Sequence, residues 1–237
     1  MQYETGTMSE QGDTPADAPL PRARDMVTAF GTLTVLPLPR PHPGSEAFGR
    51  AALFFPLIGL LVGALLVGAR WMAAGLPSWW AAVVVVGVWE GLTGAPLLRA
   101  FGLSGPGAFT VLGLIVVAKT ACTAAAGARP AALLFAPLLA RWALVVLATG
   151  VRDAAAPGRK FNPAITFREF ALSSVFSFAA VFAVAEAFGM LIVVAVAALT
   201  LTLRLSVHRW VGGVSWRFLL ACVEGIEMFV LAICALL

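Results

Sequence analysis

From Met26 to Arg152 the chain contains no aspartate, and Glu46 and Glu90 are its only carboxylates in that stretch. Paired aspartates, the usual cage for a hard divalent metal, are therefore excluded from it. Charged residues of any sign make up 12% of the sequence against 60% hydrophobic, with a mean hydropathy of +0.93, which excludes a soluble globular domain. Cysteine is scarce: Cys122, Cys222 and Cys234 all lie in apolar runs, which fits small buried hydrophobes and not a disulfide framework or a metal set. The two histidines, His42 and His208, have no second histidine at ligand spacing, so zinc has no support. Neither a phosphate loop of the G-x-x-x-x-G-K-[ST] kind nor a Ser-His-Asp pattern occurs. What is left is an all-α, polytopic helical membrane protein, and the lipid bilayer is its first partner. No nucleic-acid partner is expected.

Residues 1–20 read as a disordered polar tail, rich in Pro, Gly and small polar residues that bury nothing. No cleavable leader is read, because the first strongly apolar run begins near Phe48 and no small-residue cleavage pattern follows it. Residues 21–47 read as a basic interfacial segment, a short surface helix ending at Pro37. The remainder, 48–237, is expected to be a single transmembrane helical domain. Its apolar runs predict about seven spans: Phe48–Ala69, Trp79–Leu98, Gly107–Gly127, Ala131–Gly150, Phe170–Phe188, Gly189–Val207 and Arg217–Leu237. Only AEAFGM divides the fifth from the sixth, so a turn between two spans and a re-entrant hairpin both fit, with Glu186 in the bend. Basic residues of the connections fall twelve on the amino-terminal side and two, Arg70 and Arg129, on the other. That asymmetry predicts a cytoplasmic membrane protein with its amino terminus inside and its carboxyl terminus outside. Trp71, Trp79, Trp80, Trp210 and Trp216 sit near helix ends and suit an interfacial belt, whereas Trp142, beside Arg141, is read as packing or a cation–π contact.

Two basic residues lie outside that count. Lys119 in IVVAKTACTA and Arg141 in PLLARWALVV fall mid-span, where an unpaired charge costs about 3 kcal/mol or more. The last helix offers partners, since Glu224 and Glu227 are three apart and share one face. These four are the candidate ligand-binding residues, expected to converge on one polar cavity for an anionic ligand at the cytoplasmic side. The plainer reading is an ion-pair cluster that fixes helix packing. Glu90, near a helix end in WEGLTG, joins them or stays solvated.

The succession FGTLTVLPLP, GRAALFFPLIGLLVGALL, LTG, GAFTVLGLIVVAK, FAPLLARWALVV and VGGV before a helix with two glutamates resembles the cobalamin synthase family, the adenosylcobinamide-GDP ribazoletransferases. The resemblance covers nearly all of the chain beyond the tail. It implies a polytopic inner-membrane enzyme that joins a GDP-activated corrinoid to α-ribazole or its phosphate, releases GMP and requires magnesium as cofactor. In such chemistry carboxylate-bridged metal neutralises charge on the phosphoryl oxygens.

The family carries TGGLHLDGLADxxDGL and then DSRIGAFG, and here this sequence departs from it. After Leu92-Thr93-Gly94 the aspartate-rich segment is missing, Leu103-Ser104-Gly105-Pro106 stands where D-S-R-I would, and Arg217 stands where the family's GGxTGD ends in aspartate. For the metal site that the resemblance implies, Glu90, Glu224 and Glu227 are the candidate ligands in place of the missing aspartates. Two functions of different class follow. One is a divergent ribazoletransferase with impaired catalysis; the other is a non-catalytic membrane protein that binds a corrinoid or nucleotide precursor or partners an intact cobalamin synthase. A small-solute transporter is a weaker third reading, since no broken-helix pattern is evident.

Overall fold

The computed structural model describes residues 22–38, 46–94, 96, 106–126, 129–149, 165–210 and 216–236, and among them every regular element is a helix. The expected tail and the connections near 99–105, 151–164 and 211–215 lie outside the described residues.

Helix α1, Ala23–Leu33, is amphipathic, burying Ala29 and Leu33 while Met26 and Val27 remain exposed. It stops four residues short of the expected Pro37. The Thr34 hydroxyl donates back to the Phe30 carbonyl (2.7 Å), and Thr34 adopts extended backbone, so the chain leaves the helix there. The next amide, Val35, donates to the Leu92 carbonyl at 3.0 Å and ties this segment to the end of a spanning helix.

The expected first span, Phe48–Ala69, is two helices: α2, Glu46–Ala52, and α3, Phe55–Met72. Pro56 explains the correction, because its ring excludes the carbonyl of Ala52 from a continuous helix and suits the first turn of a new one. Next comes α4, Ser78–Thr93, which ends where Gly94 takes a left-handed conformation (φ 69°) and its amide donates to the Glu90 carbonyl at 2.7 Å. The remaining helices are α5, Pro106–Ala125; α6, Pro130–Ala148; α7, Phe167–Trp210; and α8, Trp216–Leu236.

Helix α6 is the axis of the bundle, buried nearly throughout from Ala132 to Ala148 and packed by α3, α7 and α8. Its closest neighbour is α3, and glycine makes that approach feasible: a Cβ on Gly59 would lie 2.4 Å from the Pro137 carbonyl oxygen, and one on Gly63 2.8 Å from that of Leu133. Small residues spaced four apart let helix backbones meet in lipid. A second group, α4 with α5, joins this core through α3 and α8.

Helix α7 is 44 residues long by hydrogen bonding but broken at Glu186 (φ 47°, ψ −129°). Two contacts reveal its path. The Trp142 indole donates to Ser174 on the first arm, and Arg204 on the second arm donates to the Val146 and Thr149 carbonyls (2.7 and 2.8 Å). Thirty residues of straight helix would cover about 45 Å, yet both contacts fall within two turns of α6. The arms therefore fold back as a hairpin, each about 20 residues and long enough to cross a hydrocarbon core. The break is the turn between arms, not a mid-span interruption of the kind transporters use. Phe55–Met72, Pro130–Ala148, the α7 segment Phe167–Ser206 and Trp216–Leu236 have the length and apolarity of spans, with Ser78–Thr93 a shorter apolar helix. The protein is a helical membrane protein.

Candidate functional site

Four helices bring charge to one place. Glu90 comes from the last turn of α4, Lys119 from α5, Arg141 from α6, and Glu224 and Glu227 from adjacent turns of α8. A helix turns about 100° per residue, so Glu224 and Glu227 stand about 60° apart and face α5 and α6 together. Lys119 Nζ lies 2.7 Å from Glu90 Oε1 and 2.8 Å from Glu227 Oε2, and also forms an ion pair with Glu224. Arg141 closes the network from the other side through an ion pair with Glu227 and a 3.2 Å hydrogen bond to the Pro137 carbonyl, an acceptor of its own helix. The Trp89 ring covers the ammonium, its centroid 4.5 Å from Nζ.

All four candidate ligand residues thus converge, and Glu90 joins them. Lys119 and Glu227 are fully buried, Glu224 and Arg141 nearly so, and Glu90 is the most accessible with 11% of its side chain exposed. What converges is a closed network of three carboxylates and two cations. It offers no excess positive charge to an anion, and that corrects the expected character of the site. The cation–π contact forms at Trp89, while Trp142 is fixed by Ser174 (2.9 Å) and packs on Phe178, ring centroids 5.1 Å apart.

Several polar atoms beside the cluster remain without hydrogen-bond partners among the described residues: Trp89 Nε1, Arg141 Nε, Glu224 Oε2 and the hydroxyls of Thr120 and Thr123. Other helical hydroxyls, such as those of Thr93, Thr149, Ser177 and Thr200, donate to the carbonyl four residues back. Thr120 and Thr123 therefore differ from the local pattern. The sequence reading passed over Trp89, Thr120 and Thr123, although their spacing from Glu90 and Lys119 was a usable signal.

Magnesium would need carboxylate oxygens at about 2.1 Å in octahedral array. Glu90, Glu224 and Glu227 each direct an oxygen at the Lys119 ammonium, and the second oxygen of Glu227 is taken by Arg141. A dication would have to displace a fixed positive charge, so these residues as arranged do not fit the metal. Among the described residues no three or more His, Cys, Asp or Glu side chains are arranged so as to hold a metal ion, and the flanking stretches 95–105 and 211–215 contain no Asp or Glu in sequence.

Comparison with known proteins places this arrangement. Residues 25–98 and 103–235 match the cobalamin-5-phosphate synthase family. The chain is similar to the adenosylcobinamide-GDP ribazoletransferase of Pseudomonas paraeruginosa, 33% identical over 150 residues that cover 52% of this chain and 61% of the relative. Shorter segments match enzymes of that name from Novosphingobium aromaticivorans, 37% identical over 76 residues (30% of this chain, 31% of the relative), and Deinococcus radiodurans, 42% over 69 residues (28% and 25%). The chain thus spans 61% of the Pseudomonas paraeruginosa relative and less of the other two. No solved structure matches. The family match takes in the helices that carry Glu90, Lys119, Arg141, Glu224 and Glu227, and the chain belongs to the cobalamin-5-phosphate synthase family.

Proposed function

We propose that this chain serves cobalamin assembly in the cytoplasmic membrane as a non-catalytic member of its family, binding a corrinoid or nucleotide precursor beside an intact synthase. The observation that carries this reading is the commitment of every carboxylate in the membrane cluster to Lys119 or Arg141. Transfer from a diphosphate needs charge neutralised at the phosphoryl oxygens, and losing such stabilisation costs orders of magnitude in rate. The substrates named for the relatives, adenosylcobinamide-GDP and ribazole, come to this chain by family membership. Glu90, the most accessible member of the cluster, lies in the last turn of α4, at the end that leads in sequence to Arg99. The positive-inside rule assigns that end to the cytoplasm, where phosphorylated precursors are made.

The test uses the full chain in liposomes with magnesium, adenosylcobinamide-GDP and α-ribazole. We expect the coloured corrinoid to be retained by these liposomes above protein-free ones, with no cobalamin formed above background, while an intact family member assayed in parallel forms product. Sustained product formation would overturn the reading, and so would absence of corrinoid retention.

A further inference from the structure

We propose that Lys119 is a tethered cation seated in a carboxylate site, and that the same site, emptied of its ammonium, accepts one divalent metal ion. The arrangement around Nζ differs from an ordinary ion pair. An ammonium has three N–H donors, and here three carboxylates from two helices meet it, at 2.7 Å for Glu90 and 2.8 Å for Glu227, with Glu224 as the third. The Trp89 face at 4.5 Å completes the shell, and the side chain is inaccessible to solvent. This is how a protein surrounds an ion, with the lysine stem as the leash.

Charge arithmetic gives the identity of the replacement. With all three carboxylates ionised, removing the ammonium leaves Glu90, Glu224 and Glu227 against the Arg141 guanidinium, three negative charges less one positive, or −2. One divalent cation neutralises that remainder. The donors are carboxylate oxygens, which suit hard ions such as Mn2+ and Mg2+. Glu224, 1% exposed, has an Oε2 with no hydrogen-bond partner among the described residues, so one oxygen is already free to turn onto a metal. Truncation to alanine removes three methylenes with the ammonium and leaves room for the water ligands such ions retain. The wild-type chain, by this account, neutralises its buried acids without drawing on any metal. The inference shares its ion-pair geometry with the functional reading but not its conclusion about catalysis, because metal uptake and product formation are read separately.

The experiment compares wild type and Lys119→Ala in nanodiscs by Mn2+ electron paramagnetic resonance, with thermal unfolding in parallel. We expect Lys119→Ala to take up one Mn2+ per chain, displaceable by Mg2+, and to melt at higher temperature when metal is present. Wild type should bind at least about tenfold more weakly, and adding Glu224→Gln to Lys119→Ala should weaken uptake by at least about tenfold. A folded Lys119→Ala that ignores Mn2+ would overturn the proposal, as would wild-type binding that Glu90→Gln and Glu224→Gln both abolish. Should Lys119→Ala fail to accumulate, its recovery on growth with Mn2+ or ethylammonium supports the proposal. Recovery with neither refutes it, because a site complementary to a cation folds around whichever cation fills it.

Discussion

Glu227 is the residue on which both membrane cations close, one oxygen toward Lys119 and the other toward Arg141. Replacing it with glutamine leaves Arg141 with the Pro137 carbonyl of its own helix as its other hydrogen-bond acceptor. Breaking a buried pair from one side costs about 3–5 kcal/mol, because the stranded charge remains. Glu227→Gln and Arg141→Met should each melt far below wild type in detergent, and the double variant should regain most of the loss. By contrast, Glu46→Gln at the exposed Arg50–Glu46 pair should leave the melting temperature unchanged, since surface pairs contribute close to nothing. Additive loss in the double variant would mean that the two residues act separately. The meeting of the four mid-span charges was legible in the sequence because a charge at that depth has no inexpensive alternative to a partner. Trp89, Thr120 and Thr123 were not, since an indole or a hydroxyl in an apolar run has ready alternatives in packing or in its own helix backbone.

At the scale of helices, glycine has two opposite meanings in α3. Gly59 and Gly63 face α6 at distances no Cβ tolerates, whereas a Cβ on Gly68 would meet nothing within 4 Å. Helix propensity alone favours alanine over glycine by about 1 kcal/mol in all three places. Gly68→Ala should therefore be neutral or stabilising, while Gly59→Ala and Gly63→Ala should each cost about 1–3 kcal/mol through overpacking. Thermal melts of the three single variants check this order, and equal behaviour would show that α3 and α6 are not held by that approach. The turn at Glu186 gives a complementary case. Its positive φ strains a residue with a side chain, so Glu186→Gly should stabilise the hairpin by about 1 kcal/mol in the same assay. That bend was legible because AEAFGM is the one weakness in an otherwise continuous apolar run. The split between α2 and α3 was also written in the letters, in the proline of FFPLIG, but a hydropathy window averages over a single proline. Thr166-Phe167-Arg168-Glu169 has the T-x-x-E spacing of a helix start, with the Glu169 carboxylate accepting the Thr166 amide at 2.9 Å and also the Thr166 hydroxyl, and it marks the α7 start more sharply than hydropathy does.

For the whole molecule, the placement of charge along the chain governs orientation and order of assembly. The basic asymmetry of the connections leads us to expect that an alkaline phosphatase fused after Leu237 is active and that a reporter requiring the cytoplasm is silent there. The opposite pattern would invert the bundle and move the Glu90 end of α4 to the other side. The general architecture could be read because bilayer thickness fixes span length. The central place of α6 could not, since hydropathy is the same for a helix facing lipid and one facing its neighbours.

That central helix has a consequence in time. Arg141 precedes Glu227 by 86 residues and Lys119 precedes it by 108. At about 5–20 residues per second, translation exposes these cations for several seconds before α8 leaves the ribosome. During that interval Lys119 has only Glu90, and Arg141 has no acid of the cluster. The cluster is complete only when the last helix delivers Glu224 and Glu227, so α8 is the latch that closes the bundle's charge. A chain halted before Trp216 would present to the membrane a guanidinium without its acid.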